Sequence, residues 1–291
     1  MKHSKACSPA DSGVTVIGPG RVGQALGKLL ANAGISIRWV VGRRVDRARR
    51  AVRFIGQGRP LALDSLPAVD PTRVVFLTTS DSALAEVARR LAHSYSSKGW
   101  VGRVVLHTCG SLPSSVLAPL KRRGAAIGSL HPFQTVPSPV TGVRNLRGCF
   151  WAIEGDQEAC RVARRFVRAL EGSAFEIRPA RKTHYHLAAF LVCPTVVTLM
   201  ERSARLLRQA GVPKKIAGTM LVRFVAETVD NFARLGARKA LTGPAVRGDW
   251  KTVERHLKVL RRSAPDLLPV YRGLLQAMIG LKKRRSQKSE G

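Results

Sequence analysis

Apolar positions along the chain follow two different periods. Up to about residue 178, short β-branched runs alternate with stretches of helical spacing. Val14-Thr15-Val16-Ile17 reads as the first strand. After it Val22, Ala25, Leu26, Leu29, Leu30 and Ala33 recur on one helical face, with Gly34 placed to end that helix. Ile35 to Val41, Arg73 to Thr79, Arg103 to His107 and Ala125 to Leu130 predict further strands. Between them lie helices carrying Leu84, Val87, Ala88 and Leu91, then Val116, Leu117 and Leu120. A last strand, helix and strand (Cys149 to Ile153, Ala159 to Leu170, Ala174 to Ile177) completes the sheet. This rhythm predicts a doubly wound parallel sheet covered by helices on both faces.

Beyond about residue 180 the pattern is helical throughout, with Met220, Leu221, Phe224, Val225, Thr228 and Phe232 as its clearest stripe. Gly211-Val212-Pro213 ends one helix and opens another, while Asp249 and Pro265 stand where later helices begin. The apolar run Leu187 to Met200 is shorter than the roughly 20 residues of a bilayer span and contains Pro194, so a buried helix is expected. The expected organisation is a tail at 1–13, an α/β domain at 14–178, a helical domain at 179–281 and a basic tail at 282–291.

A chain of 291 residues has room for two hydrophobic cores, which agrees with that division. No apolar leader follows Met1, and the odd number of cysteines, five, includes no C-x-x-C pair. A reducing cytoplasm is therefore expected, with no membrane partner and no metal site. The formal charge of +32 suits either a polyanionic cofactor or nucleic acid. Because arginine is spread over every segment rather than gathered on one face, the charge names no partner, and nucleic acid is disfavoured.

Gly18-Pro19-Gly20-Arg21-Val22-Gly23 is G-x-G-x-x-G placed directly after a strand and opening a helix. In that context Gly18 permits a tight turn, Gly20 lets the backbone approach a pyrophosphate, and Gly23 lets helix and strand pack closely. Arg21 and Val22 lie in the same turn. After the second strand the chain carries Arg43 and Arg44 in place of the acidic residue that binds a ribose hydroxyl, so NADP(H) is the expected cofactor. Thr78, Thr79 and Asp81 sit at the carboxyl end of another strand, as cofactor contacts or as a helix cap.

His107-Thr108-Cys109-Gly110 and Ser129-Leu130-His131 end two further strands at the same edge, which puts His107, Cys109, Gly110 and His131 on the nicotinamide side. Lys182 and His186 are one helical turn apart and could transfer a proton to an oxyanion formed by hydride delivery. Thr242, Arg247 and Asp249 lie between helices. Arg247 is a candidate clamp for a substrate carboxylate, and Asp249 a helix cap.

At GPGRVG (18–23), HTCGS (107–111), GSLHPFQT (128–135), KTHYHLAA (182–189) and LTGPAVRGDWKTVERHL (241–257), the sequence resembles bacterial Rossmann-like NADP-binding proteins with a C-terminal helical domain of unknown function, DUF2520. The resemblance extends to ketopantoate reductase, pyrroline-5-carboxylate reductase and deazaflavin-dependent NADP oxidoreductases. It implies a helical domain like that of 6-phosphogluconate dehydrogenase, a lysine on the first interdomain helix, here Lys182, and a homodimer. His186 stands where asparagine is usual after that lysine; Cys109 replaces serine and Pro194 replaces asparagine.

These readings together imply an NADP(H)-dependent reductase acting on a C=O or C=N of a small acid, such as a 2-oxo acid of the ketopantoate type. Lys182, His186 and His131 are the catalytic candidates; Thr242, Arg247 and Asp249 the substrate-binding ones. The alternative is a non-catalytic nucleotide-sensing or nucleic-acid-associated Rossmann protein, for which the charge is the support.

Overall fold

The computed structural model describes residues 13–68, 72–94 and 99–283. The expected tails lie outside these residues, apart from Gly13, which is buried, and Lys282 and Lys283, which end the last helix. Eight strands make one sheet: β1 (Val14–Ile17), β2 (Ile37–Gly42), β3 (Arg59–Ala62), β4 (Val74–Leu77), β5 (Val104–His107), β6 (Ala126–Pro132), β7 (Phe150–Gly155) and β8 (Ser173–Glu176). Their order is β3-β2-β1-β4-β5-β6-β7-β8, with the switch in strand order between the parallel neighbours β1 and β4.

The helices of this sheet are α1 (Arg21–Asn32), α2 (Val45–Ile55), α3 (Asp81–Ser94), α4 (Ala118–Lys121), α5 (Pro139–Leu146) and α6 (Gln157–Ala169). On one face Val14, Val74, Phe76 and Val104 pack with Leu26 of α1, Ala51 of α2 and Phe166 of α6. On the other, Ile17, Val75, Leu77 and Val105 pack with Leu84 and Leu91 of α3 and with Leu120. Burial on both faces explains why β1, β4 and β5 carry β-branched residues without polar alternation.

Two strands differ from the expected sheet. β3, with Pro60 inside it, escapes the β-branched pattern; it occupies the sheet edge, where a residue lacking N–H is tolerated. β7 runs antiparallel to β6, and β8 runs parallel to β7. Strand direction leaves no trace in the apolar period, which is the same for either pairing.

Five helices follow: α7 (Lys182–Gln209), α8 (Lys214–Ala240), α9 (Pro244–Arg247), α10 (Trp250–Ser263) and α11 (Leu268–Lys283). The chain divides into two compact units, the first ending at Thr195 and the second starting at Val196. Pro194 sits within α7 and has no N–H for the Phe190 carbonyl, which accepts instead from the Thr195 hydroxyl at 3.1 Å.

The expected burial of the run Leu187 to Met200 is not found. Leu187, Phe190, Leu191, Val192 and Val197 are each more than half exposed, and α7 is long and apolar enough by composition to cross a membrane. In α8, Phe224 is 72% exposed and Phe232 59%. Helical period identifies an apolar stripe without telling whether it is covered.

Candidate active site

The glycine turn is built by steric necessity. Gly18 adopts φ +104°, and a Cβ on it would lie 2.6 Å from the Thr78 carbonyl carbon and the Thr79 nitrogen. A Cβ on Gly23 would lie 2.2 Å from the Gly18 oxygen. The Thr78 hydroxyl donates to the Gly18 carbonyl at 2.7 Å and to that of Ile17 at 3.1 Å, so it fastens the turn to the sheet. Gly20 is different, because a Cβ there would meet nothing within 4 Å.

That open space lies at the N-terminus of α1, where Gly20 offers no side-chain cap to the N–H groups of the first turn. Uncapped donors and the positive end of the helix dipole suit a pyrophosphate. The Thr79 hydroxyl oxygen is buried without a partner among the described residues, a second group available to a ligand. At the end of β2, Gly42 passes under Pro19, and Arg43 and Arg44 follow, both exposed. Arg44 faces Asp46 at 3.6 Å, whereas Arg43 has no ion pair among the described residues. The residues present therefore fit an NAD(P)-type dinucleotide, with Arg21 and Val22 opening the helix beside the Gly20 space.

At the ends of β5 and β6 the structure brings together His107, Cys109, Gly110, His131, Lys182 and His186. Lys182, the first residue of α7, is 1% exposed. Its ammonium donates to the Cys109 carbonyl at 2.9 Å, to the Ser129 hydroxyl, and to Glu154 at 3.2 Å. Glu154, also buried, accepts from the Ser114 N–H at 2.8 Å and hydroxyl at 2.7 Å. Burial lowers the Lys182 pKa, against the raising effect of Glu154. All three ammonium hydrogens are engaged.

Two of these three histidines, His107 and His131, are held in the neutral form. Burial, then the Lys182 ammonium, pushes His107 down to about 3, while the Pro113 carbonyl opposes. His107 Nδ1 accepts from the Cys109 N–H at 3.1 Å. His131 is pushed down to about 4 by burial, Lys182 and His186, with Asp81 opposing. Its Nδ1 lies 2.8 Å from the Tyr185 hydroxyl, and its ring centroid 6.3 Å from that of His186. Cys109 is a buried thiol held protonated mainly by desolvation, with Ser111 at 3.3 Å; Ser111 in turn donates to Asp81 at 2.9 Å.

Thr242, Arg247 and Asp249 belong to the second unit, and all three are exposed. The Asp249 carboxylate accepts from the Thr252 N–H at 3.1 Å as the N-cap of α10. Arg247 closes α9, and Gly248 follows in the left-handed conformation at φ +81°.

Comparison with known proteins gives two family matches: a Rossmann-like domain at residues 2–132 and a domain of unknown function, DUF2520, at residues 149–278. The chain carries a Rossmann-like domain followed by a DUF2520 domain. No curated protein matches it. Among solved structures, this chain is similar to a Bacteroides fragilis protein described as a candidate NADP oxidoreductase, with 23% identity, 93% of this chain and 99% of the other covered, and a TM-score of 0.75. An imine reductase from Aspergillus terreus gives 16% identity, coverage of 92% and 93%, and a TM-score of 0.66. Plasmodium falciparum pyrroline carboxylate reductase with NADP bound gives 11%, 94% and 99%, and 0.59. At these identities the likeness is one of fold.

Three residues of the candidate site leave no mark in the local sequence pattern. Glu154 is the one acid in the strand Phe-Trp-Ala-Ile-Glu-Gly, and a carboxylate in a buried strand calls for a cation. Ser129 precedes His131 by two residues and so shares its face of β6. Tyr185 lies between Lys182 and His186, and its tie to His131, 54 positions away, has no local signal.

Proposed function

We propose that the chain is an NADP(H)-dependent reductase of a C=O or C=N group on a small acid. The observation that carries this reading is the pairing of an open, uncapped phosphate cradle at Gly20 with neutral His131 at the carboxyl ends of the same sheet. Bound NADPH would supply hydride. The chain's own residues would place the phosphates on Gly18 to Gly23, the 2′-phosphate beside Arg43 and Arg44, and the reacting group beside His131.

The enclosed Lys182 ammonium is ill placed to release a proton to a ligand, so in this reading it acts as a buried positive charge. His131 becomes the hydrogen-bond donor to the developing anion, with His186 beside it. The resemblance of fold to pyrroline carboxylate and imine reductases supports cyclic imines as substrates alongside 2-oxo acids. Arg247 remains the proposed clamp for a substrate carboxylate, on its sequence context. A homodimer covering the exposed apolar flanks of α7 and α8 also belongs to the proposal.

The test is a fluorescence titration with NADPH and NADH, on the wild type and on Arg43→Ala. A charged hydrogen bond is worth about 1.5–3 kcal/mol, so NADPH should bind about 10- to 100-fold more weakly to the variant, with NADH unchanged. Binding of neither nucleotide to the wild type would remove the reductase reading. Turnover is then sought with 2-oxo acids and cyclic imines, Arg247→Ala serving as the clamp variant.

A further inference from the structure

We propose that Tyr185 is a positioning residue that fixes the tautomer of His131: its phenol donates to Nδ1, leaving the imidazole proton on Nε2, beside Gly110. The hydrogen bond is 2.8 Å long, and the two rings stand perpendicular with centroids 5.4 Å apart. Tyr185 is itself held by rings on two other elements, Phe133 at 5.4 Å and Phe175 at 6.1 Å. Its hydroxyl therefore has a defined direction.

A neutral imidazole has one donor nitrogen and one acceptor nitrogen. Burial, then the neighbouring Cys149, pushes the Tyr185 phenol's pKa well above its ordinary value, so it keeps its proton and needs an acceptor. Nδ1 is the acceptor within reach. Had Nδ1 carried the proton, the phenol hydrogen would lose this partner and Nε2 would present a lone pair.

Nε2 lies so close against Gly110 that any side chain there would collide with it. A Cβ on Gly110 would lie 2.6 Å from Nε2 and 2.7 Å from His186 Cδ2. A proton on Nε2 would select for an oxygen or nitrogen acceptor on a ligand. This last step rests on the reductase reading; the tautomer itself does not. A neutral imidazole N–H as donor to a developing anion avoids the need for a titrating acid.

The experiment is nitrogen-15 NMR of histidine-labelled protein near neutral pH, with the His131 signals identified by their loss in His131→Asn. The expected wild-type spectrum shows a protonated Nε2 and a bare, hydrogen-bonded Nδ1. Tyr185→Phe should shift His131 toward a mixture of tautomers, whereas Phe133→Leu, which loosens the ring contact and keeps the hydroxyl, should leave the tautomer unchanged. A wild-type proton on Nδ1, or an unchanged pattern in Tyr185→Phe, overturns the proposal. If Tyr185→Phe does not fold, the wild-type and Phe133→Leu spectra decide alone. NADPH titration of the same samples separates the two ideas, since failure to bind NADPH removes the reductase and leaves the tautomer result standing.

Discussion

Lys182 and Glu154 meet at 3.2 Å with side chains 1% and 2% exposed, joining the start of α7 to β7. Removing one partner leaves the other as a lone charge out of water. Glu154→Gln should therefore destabilise the protein by about 3–5 kcal/mol, while the double variant Lys182→Met with Glu154→Leu should lose much less. Urea denaturation of the three proteins decides it; a Glu154→Gln variant as stable as wild type would show that the pair is not a buried ionic link.

Gly20 and Gly23 separate binding from folding. Gly20→Ala adds a methyl into open space and should leave the melting temperature within about 2 °C of wild type, an effect below about 0.5 kcal/mol, while obstructing the phosphates and weakening NADPH binding. Gly23→Ala drives its methyl to 2.2 Å from the Gly18 oxygen and should lower stability by about 1–3 kcal/mol. Thermal melts beside nucleotide titration distinguish the two. Equal melting losses for both variants would contradict the open space at Gly20.

His107 gives the protein an acid weakness whose sign follows from its burial. Its folded pKa, about 3, is below the ordinary 6.5, so the neutral form is favoured by folding. Stability from this group is fully present above pH 6.5 and declines as pH falls toward 3. At about pH 5 the loss should be about 2 kcal/mol relative to pH 7.5, reduced in a His107→Gln variant. Denaturation midpoints at the two pH values provide the check.

Gly110→Ala should push His131 and His186 apart, because the new methyl would sit under 3 Å from both rings. NADPH affinity should change less than threefold, while turnover with any substrate found falls by about 10²-fold, the scale of a misplaced catalytic group. Undiminished turnover in a folded variant would move the chemistry away from His131.

The exposed apolar residues of α7 and α8 should be covered by a second chain. Light scattering of the wild type should give twice the monomer mass, and Phe224→Glu, at a position 72% exposed, should weaken that association without unfolding the chain. A monomeric wild type at micromolar concentration refutes the homodimer.

How far the sequence revealed all this depended on which physical cause left a local mark. The glycine turn, the buried strands and the Asp249 cap were legible because each is set by residues adjacent in the chain. β3 was not, since Pro60 and Leu61 gain their place from β2. The proximity of Lys182, His131 and His186 followed from strand ends and helical spacing, but the closure of the Lys182 ammonium depends on Glu154, 28 positions away, which no local period could signal. The exposure of the Leu187 to Met200 run reversed its expected burial, because hydrophobicity records the need for cover and not its source.

The antiparallel strand β7 also ties the two family matches together. The DUF2520 match begins at residue 149, yet β7 and β8 complete the sheet begun by the Rossmann-like segment, pairing Leu130 with Ile153 and His131 with Ala152. A gene divided between the two matches would yield one product with a bare β6 edge and another with two strands lacking their sheet. The border between the two matches thus runs through one hydrogen-bonded sheet and is not a structural seam.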